Sequence, residues 1–362
     1  MQRYLILLAM LLLTCSPKYT IDYNRPVKPI SFPRDHAAHN SAQMEWWYYT
    51  GHLKAGDGSE YGFEVTFFKR ITNEDRAPGC LRFIPAYYLL DVGMIGHFAV
   101  TDLKKKRFAS TEKDNFLFTK WKADPESYNV VISDWHARDK NGVHCVRARM
   151  KGYAIDLYLT PRKPAALNGR NGIVQKGDTH ANYYYSFTNL QVTGNITVDG
   201  KIKPVKGKAW MDHEYGVMKL EKTQTGWDWF SLQLENNTEL MIYLIKDNHR
   251  PVPKSGGTYV DAKGKVHWLS LGDITVKTLA TWQSGRTKGV YPSEWRIDVK
   301  RLGLSLHIKP RLAEQELDHK PVTYWEGAVD VKGTEGKKEV NGLGYVELVG
   351  YCPGKNFSDL EL

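Results

Sequence analysis

No apolar run in this sequence is long enough to cross a bilayer as a helix. The longest, Leu5 to Leu13, falls well short of the roughly 20 residues that a helical span requires. A polytopic helical membrane protein is therefore excluded. Cysteine is scarce, with 4 in 362 residues, and no two form a CxxC pair. That removes zinc ribbons, thioredoxin-like redox motifs and a dense disulfide framework. Cys80, Cys145 and Cys352 leave room for one disulfide in an oxidising compartment, with the pairing open. No GxSxG elbow, P-loop or GxGxxG fingerprint is present, which disfavours serine hydrolases and nucleotide enzymes. The chain also lacks an amphipathic helical period sustained over three turns. Its charge is basic, at +10, but not focused. The densest run, Lys104-Lys105-Lys106-Arg107, follows Asp102 in a turn. Nucleic-acid binding calls for a basic stripe or a recognisable module, and neither is there. The surface reads as solvated, and tolerant of anionic lipid nearby.

What the chain does have is aromatic bulk. Its 11 Trp, 21 Tyr and 12 Phe, together with 31 Gly, favour strands, tight turns and an aromatic-lined interior. The dominant hydrophobic period is two. Tyr61-Phe63-Val65-Phe67, Tyr153-Ile155-Leu157-Leu159, Trp295-Ile297-Val299 and Leu304-Leu306-Ile308 each share one strand face. Turn signals at Asn141-Gly142, Asp199-Gly200, Asn236-Asn237 and Glu335-Gly336 punctuate them. The pattern predicts an all-β fold of antiparallel strands, a sandwich or a closed barrel.

The β-units repeat. Glu45-Trp46-Trp47-Tyr48-Tyr49-Thr50-Gly51-His52-Leu53 aligns without a gap with Gly226-Trp227-Asp228-Trp229-Phe230-Ser231-Leu232-Gln233-Leu234. Tyr185 to Gly194 parallels Tyr324 to Gly333, and Gly207 to Asp212 parallels Gly342 to Glu347. The first and last hairpins thus recur in the same order. This predicts two copies of one unit, each closed between its first and last strands. Closed barrels of about eight strands can hold one small apolar ligand.

Arg3, the apolar Leu5–Leu13 and the string Leu12-Leu13-Thr14-Cys15 resemble a bacterial lipoprotein signal, with Cys15 as the lipidated residue. Thr14 departs from the usual small residue before the cysteine. Residues 1–15 are expected to be the signal and 16–40, with Pro17, Pro26, Pro29 and Pro33, a tether and leading strand. Residues 41–219 and 220–362 then form the two domains. The expected location is the cell envelope, lipid-anchored and facing the periplasm. Ser16, where some sorting systems read Asp as an inner-membrane signal, favours the outer membrane.

Asp35-His36-Ala37-Ala38-His39, Glu45 to Leu53, Gly207-Lys208-Ala209-Trp210-Met211-Asp212-His213-Glu214-Tyr215-Gly216, Gly226 to Phe230 and the closing strings Tyr324 to Val329 and Gly344 to Tyr351 resemble the AttH/CrtC family. The resemblance covers roughly residues 30–352. It implies two tandem lipocalin-like (calycin) barrels. The family includes carotenoid hydratases, which add water to a terminal isoprenoid double bond, and an isoflavonoid hydratase. It also includes envelope lipoproteins encoded beside ABC-transporter permeases. Fold and chemistry remain separate questions.

Adding water to an unactivated alkene needs a strong proton donor, a way to stabilise a cation and a held water. A carboxyl in a dry pocket stays protonated near neutral pH, aromatic faces stabilise cations, and a base holds the water. Asp212-His213-Glu214, flanked by Trp210 and Tyr215, supplies the groups. Asp212 is the expected proton donor and His213 or Glu214 the water holder. In a regular strand Trp210, Asp212 and Glu214 share a face and His213 points away; which face looks inward is open. Trp46, Tyr48, Trp227 and Trp229 are expected to line the cavity, with Trp210 and Tyr215 as further ligand-binding residues. The repeat places Glu347 at the position of Asp212, which suits a structural role there. Glu45, His52 and the Trp325-Glu326 pair read as structural. A zinc site of His36, His39 and Glu45 is disfavoured because the stretch is loop-like. No metal or cofactor is expected. The ligand is expected to be an apolar isoprenoid or lipid, bound between or within the barrels. The rivals are a non-catalytic lipid carrier serving an ABC transporter, with no buried acid, and a structural module whose aromatics fill any cavity.

Overall fold

The computed structural model describes residues 28–71, 92–115, 119–176, 181–217, 223–247, 250–319 and 322–353. Cys15, Cys80 and the signal-like segment lie outside these residues. The first 13 strands are β1 (Met44–Ala55), β2 (Glu60–Ile71), β3 (Val92–Asp102), β4 (Arg107–Asp114), β5 (Trp121–Ala123), β6 (Asn129–Ile132), β7 (Trp135–Lys140), β8 (Val143–Met150), β9 (Tyr153–Pro161), β10 (Ala166–Leu167), β11 (Ile173–Gln175), β12 (Ala181–Val198) and β13 (Lys201–Gly216). The other 11 are β14 (Gln224–Leu234), β15 (Glu239–Asp247), β16 (Arg250–Pro251), β17 (Gly256–Val260), β18 (Val266–Ser270), β19 (Ile274–Gln283), β20 (Val290–Val299), β21 (Leu304–Pro310), β22 (Glu316–Asp318), β23 (Thr323–Glu335) and β24 (Lys338–Val349). Each set forms one antiparallel sheet. The first runs in the order β4-β3-β2-β1-β13-β12-β9-β8-β7-β6-β5, the second β18-β17-β15-β14-β24-β23-β21-β20-β19. Both sheets curl into lipocalin-like half-barrels. In each, the first strand pairs with the last, β1 with β13 and β14 with β24.

Two cores form because alternate residues point to opposite faces. Trp47, Tyr49, Phe63, Val65, Phe98 and Met211 fill the first barrel. Phe230, Leu232, Trp295, Ile297, Val346 and Leu348 fill the second. The barrel interiors are thus packed with their own side chains. The opposite faces of the same strands are buried too. Tyr48, Tyr184, Trp210, Trp229, Tyr243 and Tyr345 form a third apolar cluster along the seam between the barrels.

The register shows where the repeat holds and where it slips. Tyr48 lies opposite Asp212, and its counterpart Trp229 lies opposite Glu347. Asp212 faces Ser186 on β12, and Glu347 faces Glu326 on β23. A bulge between Phe187 and Leu190 puts one extra residue in β12. Before it, Tyr184 rather than Tyr185 is the counterpart of Tyr324. After it, the alignment ending at Gly194 and Gly333 stands.

Candidate functional site

The cavity of interest lies between the barrels, in the seam, with a volume of about 140 Å³. Strands β1, β13 and β12 bring Trp46, Tyr48, Asp212, Glu214 and Tyr184 to one wall, and β14 and β24 bring Trp227, Trp229 and Glu347 to the other. Of the six aromatics expected to bind the ligand, Trp46, Tyr48, Trp227 and Trp229 line the cavity, and Trp210 and Tyr215 do not.

The triplet Asp212-His213-Glu214 divides as a regular strand dictates. Asp212 and Glu214 face the cleft. Trp210 is buried beside it, donating its indole N–H to Asp212 Oδ1 at 2.6 Å. Ser186 Oγ donates to the same oxygen at 2.5 Å, and Tyr184 Oη to Oδ2 at 2.5 Å. Tyr184 in turn accepts from Trp229 Nε1 of the other barrel at 3.0 Å. Burial outweighs these three hydrogen bonds and pushes Asp212 up to about 7. Glu214 Oε1 accepts from Asn182 at 2.8 Å and pairs with Lys176 at 3.2 Å.

His213 points the other way, into the first barrel, and so cannot hold a water in the cleft. Its Nε2 lies 2.9 Å from Glu45 Oε1 and its Nδ1 3.0 Å from Tyr185 Oη. Burial pushes it down to about 4, so it is neutral near pH 7. Tyr215 shares that inner side, stacked on His39 and Tyr183, and does not line the cleft. Glu45 anchors the network there: His39 Nδ1 lies 2.7 Å from Oε1 and Lys69 Nζ 2.7 Å from Oε2. Its burial would raise its pKa, but Lys69, His39 and His213 hold it well below the usual carboxylate range.

His39, Glu45 and His213 converge, with ligand atoms within 4.8 Å of one another. Every one of those atoms already has a partner, and Lys69 supplies the positive charge. The cluster therefore reads as a buried ion-pair lock, as expected for Glu45. His36, the other residue of the disfavoured zinc set, instead reaches Tyr185 Oη through Nδ1 at 2.7 Å.

Sequence reasoning gave Glu347 a structural role, yet it lines the cleft opposite Asp212. Its Oε1 accepts one hydrogen bond, from Trp227 Nε1 at 3.2 Å. Burial first, then the neighbouring Asp212 carboxylate, push it up to about 7. Tyr324, His97 and Lys176 also line the cleft. The repeat was the signal for Glu347 and Tyr324; His97 and Lys176 had none. Below the cleft, Tyr48 Oη donates to Glu326 Oε1 at 2.7 Å, and Thr66 donates to Glu64. Burial raises Glu64 to about 8 and Glu326 well above its ordinary value. Trp325 turns inward, donating to the Ala313 carbonyl at 2.8 Å, while Glu326 faces the seam. His52 joins the barrels, its Nε2 lying 2.9 Å from the Gly344 carbonyl oxygen.

Fold and site define a double β-barrel protein with a carboxyl-bearing aromatic cleft between its barrels. The chain belongs to the AttH-like family, whose profile matches residues 23–351. It is 25% identical over 246 residues to kievitone hydratase of Fusarium solani subsp. phaseoli, covering 63% of this chain and 67% of that protein. A crystal structure of an AttH from Nitrosomonas europaea superposes with a TM-score of 0.79 at 30% identity, over 90% of this chain and 98% of that one. Kievitone hydratase from Nectria haematococca matches at a TM-score of 0.72 and 14% identity, over 92% and 96% of the two chains, a likeness of fold. A hydratase is thus among the family's members.

Proposed function

We propose that this chain adds water across a carbon–carbon double bond of an apolar, isoprenoid-like ligand held in the cleft between its barrels. The observation that carries this reading is Asp212, a carboxyl on an aromatic wall with its pKa raised to about 7. Such a group exchanges protons near neutrality, as acid–base catalysis of hydration requires. The indoles of Trp46 and Trp227 offer π-faces to a developing cation. A space of about 140 Å³ is close to that of a cavity that holds benzene. It suits the branched end of a larger molecule, with the remainder lying toward the mouth. A carrier would need no buried acid, and a self-filled module would leave no cavity, so the acidic cleft favours chemistry over both. The lipobox-like Leu12-Leu13-Thr14-Cys15 supports an envelope lipoprotein facing the periplasm.

The test uses prenylated phenols and linear isoprenoids in ¹⁸O-labelled water. The wild-type chain is expected to yield a labelled tertiary alcohol. Asp212→Asn, nearly isosteric, is expected to lose activity by about 100-fold or more while still binding the ligand. No labelled product from any of these alkenes would sink the proposal.

A further inference from the structure

The cleft holds two carboxyls at equivalent positions of the repeat, and their surroundings differ. Asp212 receives three hydrogen bonds, two on Oδ1 and one on Oδ2. All three donors favour its charged form. Glu347 receives one, and a long one, from Trp227. It is only half-buried, and its accessible part belongs to the cleft it lines.

The neighbours differ as well. Where the first barrel places the hydroxyl of Ser186 beside Asp212, the second places the carboxyl of Glu326 beside Glu347. Glu326 is fully buried, its Oε1 taken by Tyr48 and its Oε2 without a partner. Glu64, also fully buried, contributes to the same acidic surroundings. Among the described residues, the one lysine or arginine lining the cleft, Lys176, is already paired with Glu214. An anion at Glu347 would therefore face the carboxyls of Asp212 and Glu214 with one committed lysine to offset them, and beside it Glu326, which burial keeps neutral, supplies no cation. Tyr48, Tyr184, Tyr243 and Tyr324 on the walls are phenols that burial holds neutral, and His97 is engaged by Tyr324 Oη at 2.7 Å and Glu112 at 3.2 Å.

We infer that Glu347, contributed by the second barrel, is the catalytic proton donor, and that Asp212, contributed by the first, is the base that takes the proton from water. This rests on the hydratase reading and assigns its two proton-transfer roles. The Glu347 O–H bond breaks as the alkene π pair forms a C–H bond. Positive charge then develops on the more substituted carbon, between the aromatic walls. Water oxygen forms the C–O bond and gives one proton to the Asp212 carboxylate. The sum is alkene plus water to alcohol, with Glu347 ionised and Asp212 protonated. Exchange through cleft water returns the proton and resets the pair. Glu326 is a positioning residue that keeps Glu347 neutral by denying it a cation.

The test pairs turnover with an infrared measurement. Glu347→Gln is expected to lower kcat by about 100-fold or more with KM changed only a few-fold, while Glu347→Asp keeps part of the activity. At pH 6 the wild-type infrared spectrum is expected to contain a protonated-carboxyl band that Glu347→Gln removes and Asp212→Asn leaves. Glu326→Ser is expected to move the alkaline limb of the kcat profile to lower pH. If wild type turns over and Glu347→Gln matches it, or if no band is lost in that variant, the donor assignment falls and the hydratase reading stands. If wild type converts no alkene, the hydratase reading falls and the donor role with it.

Discussion

Single side chains in this protein carry charge in two opposite ways. Glu45 is buried as an anion, with Lys69 on one oxygen and two imidazoles on the other. Removing the cation strands a buried charge, which costs about 3–5 kcal/mol. Lys69→Met is therefore expected to lower the urea midpoint steeply at pH 7, and a near-normal midpoint would refute the lock. Because Glu45 is held below its ordinary range, its stabilisation is present at neutral pH and lost on acidification. Glu64 is the reverse case. Burial raises it to about 8, so its contribution is full below the ordinary carboxyl range and lost as pH rises through about 8. Glu64→Gln is expected to leave the Tm near wild type at pH 5 and raise it by about 2 °C or more at pH 9. Equal shifts at both pH values would show that Glu64 titrates normally. Asp212 could be picked out from sequence because an acid between large aromatics is conspicuous. Its facing could not be read, because alternation marks an inward face only when the other face is wet. Residues 209–215 of β13 are buried on both faces.

At the scale of strands, the pairing of first with last was foreseen from the repeated hairpins, and it creates close approaches that only glycine allows. A Cβ on Gly207 would lie 1.9 Å from the backbone oxygen of His52, and one on Gly342 2.4 Å from that of Gln233. These are equivalent positions in the two barrels. Gly207→Ala must push β13 away from β1, and overpacking of this kind costs about 1–3 kcal/mol. It would also displace Asp212, farther along the same strand. The expected result is a lower Tm together with loss of the proposed alkene hydration. A variant as stable and active as wild type would mean that the strands separate without cost. The bulge in β12 is the feature that the aligned strings concealed. Two tyrosines in succession, Tyr184 and Tyr185, made either register plausible by composition. Only the inserted residue decides that Tyr184 reaches the cleft and Tyr185 the inner network.

For the molecule as a whole, the seam binds the two barrels into one functional unit. Each barrel sends an aromatic donor from its first strand into the other: Tyr48 to Glu326, and Trp229 to Tyr184. Gln233 donates to the Thr188 and Ala209 carbonyls, and Lys163 pairs with Glu239 at 2.7 Å. A barrel separated from its partner would expose Tyr48, Trp210 and Tyr184, or Trp229, Tyr243 and Tyr345, and would strand buried carboxyls without their donors. Both penalties oppose unfolding of one half alone. Far-ultraviolet dichroism, tryptophan fluorescence and the proposed hydratase activity are therefore expected to be lost in a single coincident transition on urea titration. The proposed base and donor, Asp212 and Glu347, come one from each barrel, so the proposed activity cannot outlast either. An early fluorescence transition that left activity intact would show that the barrels are independent and that the acids of one suffice.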